Sequence, residues 1–231
     1  MGSDFIKYMS KRVPLAQNLQ KLNPGPVVTI SREFGCPSKV IGEILIEKIN
    51  AVLLEKRVKT KWRFISKEIL QETAKELHVD PSTIEYVFKY EKKSFFDEIL
   101  SAQTNKYYKS DKKIRNTIGE VIRTIACQGN VVIIGRGGVA ITKDIPHSLH
   151  IKLEAPIEWR VLIVSEKYNL DFNKAQEYTI EMDKKRAEFR NCFYGKDNDY
   201  TAFDVKFNCM TLTNEEIAST IVKLIEQRSF I

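Results

Sequence analysis

The chain has 231 residues, 43% hydrophobic and 29% charged, the balance of a globular protein that buries a core without disulfide staples. No aliphatic run exceeds the four residues of Val131 to Ile134, and the first residues hold no apolar stretch of signal-peptide length. A cytoplasmic location with no membrane partner is therefore expected. A net charge of +7 favours anionic partners such as phosphate-bearing small molecules or nucleic acid, and the absence of an RNP-like, helix-turn-helix or zinc signature ranks nucleic acid last.

Residues 1–25 read as a lead-in, with the folded unit from 26 to 231. Pro26 to Ile30 is a short buried strand. Ser31 to Ser38 follows as a loop, with Gly35 and Pro37 as breakers. From Lys39 to about Glu55, Val40, Ile41, Ile44, Leu45, Ile49, Val52 and Leu53 recur at helical spacing. Trp62 to Ile65 reads as a second strand, and Ser66 as the N-cap of a helix that presents Ile69, Leu70, Ala74 and Leu77 on one face. Asp80-Pro81 starts another helix, and Lys92 to Tyr108 and Ile114 to Cys127 continue as helices. Val131 to Ile134 is a strand buried on both sides, with Gly135-Arg136-Gly137-Gly138 as a tight loop at its carboxyl end. Ser148 to Leu153 is a fourth strand. A helical region from Ile157 to Arg190 is expected to break near Asn169 to Asn173. Asp204 to Asn208 is the last strand, and Thr213 with Glu216 forms the capping box of a final helix through Gln227. Strands alternating with helices predict a doubly wound α/β fold, a parallel five-stranded sheet with helices on both faces. Ligands in such sheets sit beyond the carboxyl ends of the strands, where the loops Ser31–Lys39 and Gly135–Gly138 fall.

Cys36, Cys127, Cys192 and Cys209 show neither CxxC nor metal spacing, and reduced thiols are expected. His147 and His150 read as polar residues at a strand entrance. The loop Ser31-Arg-Glu-Phe-Gly-Cys-Pro-Ser-Lys39 occupies the place of a phosphate-binding turn, where backbone N–H groups and a helix N-terminus attract anions. It is not a GxxxxGK[ST] motif. Gly35 alone supplies glycine freedom, Pro37 removes a donor, and Ser38 with Lys39 reverses the usual order of ammonium and hydroxyl. Read from the residues alone, it is either a phosphate site or a plain strand–helix turn. Cys36 reads as a plain loop residue or as a thiol acidified by the helix N-terminus.

Thr29-Ile-Ser-Arg-Glu-Phe-Gly35, followed by Ile41-Gly42, resembles the opening ISRE(F/Y)GSGGRxIG of the cytidylate kinase-like family of P-loop nucleoside-monophosphate kinases. Cys36-Pro37-Ser38-Lys39 stands where that family has Ser-Gly-Gly-Arg, with Lys39 on the basic position. Further likenesses follow in order. Phe64 to Leu70 resembles FYDKELI. Ile133 to Arg136 resembles I(V)GR. Glu154 to Arg160 resembles xAPxExR, the opening of a lid. Asp183 to Arg186 with Phe189 resembles DKxRxxY, and Phe203-Asp204 with Asn208 resembles YDLxIN. The resemblance implies a P-loop three-layer fold with a helical monophosphate-binding insertion over 66–128 and a lid over about 157–195. It implies transfer of the terminal phosphoryl group of ATP, with Mg2+, to a CMP-like nucleoside monophosphate. Arg32, Gly35, Ser38 and Lys39 would bind ATP, and Arg136, Asp183 and Arg186 the monophosphate. Lys39, Arg136 and Arg160 would act on the migrating charge. No metal ligand is assigned, and a homo-oligomer stays open. The divergent loop and the uncharged Leu162, Ile163 and Val164 in the lid keep a second reading beside the enzyme: a kinase fold that senses a nucleotide or binds a partner without turnover.

Overall fold

The computed structural model describes residues 24–66, 68–82, 111–194 and 202–231. The chain runs β1 (Val27–Arg32), α1 (Ser38–Glu55), β2 (Arg63–Ile65), α2 (Glu68–Leu77), α3 (Asp111–Gln128), β3 (Val131–Ile134), α4 (Gly138–Thr142), β4 (Ser148–Glu154), α5 (Ile157–Tyr168), α6 (Phe172–Tyr194), β5 (Val205–Asn208) and α7 (Asn214–Gln227). The strands form one sheet in the order β2-β3-β1-β4-β5, and every pairing is parallel. The helices expected from Asp80 to Tyr108 lie almost wholly outside the described residues, as does the middle of the proposed insertion, residues 83–110.

Side-chain alternation along the strands builds the layers, because successive residues of a strand face opposite sides. Val28 and Ile30 of β1, Val132 and Ile134 of β3, and Leu149, Ile151 and Leu153 of β4 point to one side. There they pack with Ile41, Leu45, Ile49 and Leu53 of α1 and Ile217, Ile221 and Ile225 of α7. Val27, Val131 and Ile133 point to the other side, against Ile69 and Leu77 of α2 and Ile114, Ile118 and Ile122 of α3. The expected α/β architecture with helices on both faces is thus present.

Three local differences from the sequence reading bear on function. β1 extends two residues beyond Ile30, because Ser31 and Arg32 pair with Lys152 and Leu153 of β4. The loop is correspondingly shorter, and Arg32 belongs to the strand. Gly138 opens the short helix α4, which the glycine-rich string concealed. His150 is mid-strand and buried rather than at the entrance: its Nδ1 lies 2.8 Å from Thr29 Oγ1. Burial holds its imidazole below the usual histidine range. The break in the long helical region falls as expected, with Asn169 in the left-handed conformation between α5 and α6. Thr213 and Glu216 form the expected capping box. Among the described residues no helix is long and apolar enough to cross a membrane.

Candidate functional site

The first glycine loop leaves the carboxyl end of β1, the central strand, and is held by side chains from β4 and the two helices after it. Phe34 drops into a pocket formed by Val161 and Val164 of α5 and Ala175 of α6. Tyr178 meets its ring edge-on at 5.2 Å, and Tyr168 stacks at 6.0 Å. Arg186 lies over the same ring, 4.9 Å from its centroid. Gly35 adopts φ +96°, and a Cβ there would lie 3.1 Å from the carbonyl oxygen of Arg160. Glycine is therefore required both by the left-handed backbone and by the close approach of α5.

Arg160 is the hub of the loop. Its side chain is 8% exposed. Nε donates to Ala155 O at 2.9 Å, and Nη1 donates to Phe34 O at 3.1 Å and to Asp183 Oδ2 at 2.5 Å. Glu33 Oε2 lies 3.3 Å from Nε. Asp183 Oδ1 accepts the Phe34 N–H at 2.6 Å, and Glu33 Oε2 accepts the Ala155 N–H at 3.3 Å. Lys152 completes the cluster, 3.5 Å from Glu33 and 2.7 Å from Glu154. Arg160 is thus neither a solvated helix residue nor an outward-facing lid cation. Its charge is met by two carboxylates and two carbonyls, which ties the start of α5 and the middle of α6 to the loop. Glu33, which the sequence reading did not assign to ATP or to the monophosphate, is part of this tie. Its position beside Arg32 in the strand–loop junction was visible, but its partner more than a hundred residues away was not.

The backbone donors of the loop are largely spent within the protein. Glu33 N–H bonds Leu153 O, Cys36 N–H bonds Glu33 O, and Ser38 N–H bonds Cys36 O. With Phe34 N–H on Asp183 and no N–H at Pro37, few amides remain to converge on an anion. Ser38 is buried at the first turn of α1. Lys39 is 74% exposed and lies 3.4 Å from Glu43 one turn along α1, so its ammonium is placed on the helix surface. Cys36 is buried against Cys209 and is not an acidified thiol: the hydrogen bond to Cys209 and its burial push it well above the usual thiol range.

The second glycine loop lies beside the first because β3 pairs with β1. Arg32 reaches across so that its guanidinium lies against Gly135, filling the space a Cβ would need. Arg136 follows with φ 55°. Gly137, at φ +70°, lies under Phe193 of α6, whose Cδ2 would be 2.6 Å from an added Cβ. Helix α6 therefore touches both loops, the first through Asp183 and Arg186 and the second through Phe193. Asp183, Arg186, Arg190 and Phe193 recur at spacings of three and four, which places them along one face. On that face Nε and Nη1 of Arg186 are buried with no hydrogen-bond partner. Buried guanidinium nitrogens are costly when unpaired, so an anionic group is the natural complement. Arg190, which the sequence reading passed over, is half-buried on the same face.

Among the described residues no group of three or more His, Cys, Asp or Glu is placed to hold a metal ion, and Glu33 is already occupied by cations. The first loop, with its amides spent on protein partners, does not present an open cradle for a triphosphate.

Comparison with known proteins places these features. A cytidylate kinase from Sulfurisphaera tokodaii is 29% identical over 123 residues, covering 53% of this chain and 66% of that protein. A cytidylate kinase from Staphylothermus marinus is 31% identical over 103 residues, covering 44% of this chain and 58% of that protein. The chain thus matches less than two thirds of the length of each. The crystal structure of an uncharacterized protein from Eubacterium ventriosum superposes with a TM-score of 0.59 at 21% identity, covering 87% of this chain and 98% of that one; this likeness is one of fold. The model of the cytidylate kinase-like family matches residues 27–209, from the first residue of β1 to just past β5. With the match running through every strand of the sheet, the chain belongs to the cytidylate kinase-like family.

Proposed function

We propose that the protein binds a nucleoside monophosphate, CMP-like, over the carboxyl ends of β1 and β3, as the acceptor of the terminal phosphoryl group of ATP. The observation that carries this reading is Arg186, whose buried Nε and Nη1 have no hydrogen-bond partner, three residues along α6 from Asp183. Phosphoryl transfer needs positioned cations more than covalent help. In this reading Arg186 and Arg136 hold the acceptor phosphate, and Arg32 holds the second glycine loop in place. Asp183 and Arg160 position α6 rather than touching substrate.

The donor side requires rearrangement. ATP and its Mg2+ would need the Phe34 N–H freed from Asp183, and Ser38 would be the loop hydroxyl nearest the phosphates. The spent amides and Pro37 favour a second reading, nucleotide binding without turnover. A coupled assay with ATP, Mg2+ and each common nucleoside monophosphate separates the two. ADP production with one monophosphate supports the kinase. Calorimetric binding of a monophosphate without turnover supports the sensor. No binding of any nucleotide rejects both.

A further inference from the structure

The turn from α1 into β2 carries more positive charge than the fold accounts for. The ten residues from Leu54 to Arg63 hold five cations, Lys56, Arg57, Lys59, Lys61 and Arg63, against one carboxylate, Glu55. Arg63 is in register with Val131 of β3, and Val131 with Val27 of β1, so the turn lies at the amino ends of the strands, opposite the candidate site. Lys56 is partly committed, with Nζ 3.9 Å from Glu226 and 3.4 Å from Ile231 O. Arg63 donates through Nη2 to the neutral Gln128 Oε1 at 2.5 Å and keeps its charge. Arg57, Lys59 and Lys61 are exposed and have no ion-pair partner among the described residues. Arg57 sits at φ 56° just past the end of α1. Its N–H bonds Leu54 O at 3.0 Å, and the Val58 N–H bonds Leu53 O at 2.9 Å. Helices ordinarily close such a turn with glycine, which has no Cβ to strain, so an arginine there is a charge kept at a conformational cost. The dipole of α1 rewards cations only within its last turn, which accounts for Lys56 and Arg57 but not for Lys59 or Lys61. Among these charges stand two aliphatic side chains that the core does not take, Leu54 at 78% exposure and Val58 at 44%.

We propose that this turn is a surface for reversible contact with an anionic membrane. Arg57, Lys59, Lys61 and Arg63 meet the charged lipid headgroups, while Leu54 and Val58 enter the boundary of the acyl chains. Each Lys or Arg near such a surface strengthens binding about fivefold, and aliphatic tips that leave water add a second contribution. Charge and apolar contact together are the paired signals that peripheral binding uses. A nucleic-acid strand fits the turn less well. Trp62, the segment's aromatic residue, is 3% exposed, so it offers no ring for the base stacking that single strands use, and phosphates gain nothing from exposed aliphatic side chains. The expectation of no membrane partner rested on the length of apolar runs, which bears on spanning; contact with a bilayer surface requires no spanning helix. The inference is independent of what the cleft binds, because no residue of the turn belongs to the candidate site.

The test floats the full chain with vesicles of phosphatidylcholine carrying about 30% phosphatidylserine, an anionic surface, and with vesicles of phosphatidylcholine alone. Binding is expected to the first and not to the second. It should fall steeply as salt rises from about 0.05 M to about 0.5 M, where screening shortens the reach of surface charge to a few ångströms. Lys59→Gln with Lys61→Gln should weaken partition about ten- to thirtyfold, the product of two cations. Leu54→Gln should weaken it about three- to tenfold. Arg57→Gly guards against misfolding as the cause: it relieves the left-handed backbone, so Tm should hold or rise while partition falls about fivefold. Equal partition to both kinds of vesicle, or none to either, overturns the proposal. So does a doubly substituted Lys59 and Lys61 variant that binds like the parent at an unchanged Tm. Binding of single-stranded RNA that the two lysine changes weaken and Leu54→Gln leaves intact, without vesicle binding, assigns the turn to nucleic acid and overturns the proposal as well.

Discussion

Replacing Arg160 with Met keeps the stem that packs beneath Gly35 but removes the guanidinium. Asp183, at 27% side-chain exposure, then loses its cation, Glu33, at 28%, keeps only Lys152, and the carbonyls of Phe34 and Ala155 lose their donors. Removing one member of a buried ion pair costs about 3–5 kcal/mol. Partial access of water to both carboxylates lowers the expectation here to about 2–4 kcal/mol. With a urea m-value of about 2–3 kcal/mol/M for a chain of this size, the unfolding midpoint falls by about 1 M at an unchanged slope. Lys174→Met, which breaks an exposed i,i+3 pair between Asp171, just before α6, and the first turn of that helix, should cost less than about 0.5 kcal/mol. A double-mutant cycle of Arg160→Met with Asp183→Asn should show coupling of about 1–3 kcal/mol. If Arg160→Met unfolds within about 0.5 kcal/mol of the parent, the loop is not held by this network, and the positioning role assigned to Arg160 is wrong.

Arg186→Ala should weaken nucleoside-monophosphate binding by about ten- to a hundredfold, the cost of losing hydrogen bonds to a charged group; unchanged calorimetric affinity would remove Arg186 from the site. Gly137→Ala places a Cβ against Phe193 at positive φ and should destabilise by about 1–3 kcal/mol, read as a lowered Tm, whereas an unshifted Tm would show that Phe193 yields freely. The imidazole of His150 is held below its usual range by burial. Its contribution to stability is therefore complete above the unfolded histidine pKa near 6.5 and is lost as pH falls below that value through the folded pKa. The slope from this group approaches at most ~1.4 kcal/mol per pH unit, and His150→Gln should flatten it in urea titrations between about pH 5 and 6.5; an unaltered slope would assign the acid sensitivity elsewhere.

The sheet was legible because its signals are local. Val131 to Ile134 could only be a strand covered on both faces, and the capping box at Thr213 and Glu216 marks a helix start within four residues. The break at Asn169 was readable as a change in helical pattern. The family likeness named Asp183 and Arg186 as a pair, yet the structure gives them different work. Asp183 is engaged by Phe34 and Arg160, while Arg186 keeps unpaired nitrogens over the Phe34 ring. That division depends on contacts between residues roughly 150 positions apart, and no periodicity encodes it. The same is true of Lys39. Its position in the loop suggested a phosphate ligand, but the rotation of the first helical turn places its ammonium beside Glu43.

Helix α6 is a continuous rod from Phe172 to Tyr194. At 1.5 Å per residue, its contacts at Asp183 and Phe193 lie about 15 Å apart along the axis. A rod fastened at both points transmits displacement like a crossbar. A molecule that levers the Phe34 turn outward must also tilt the ring resting on Gly137, so the two halves of the cleft answer to one another mechanically before any ligand spans them.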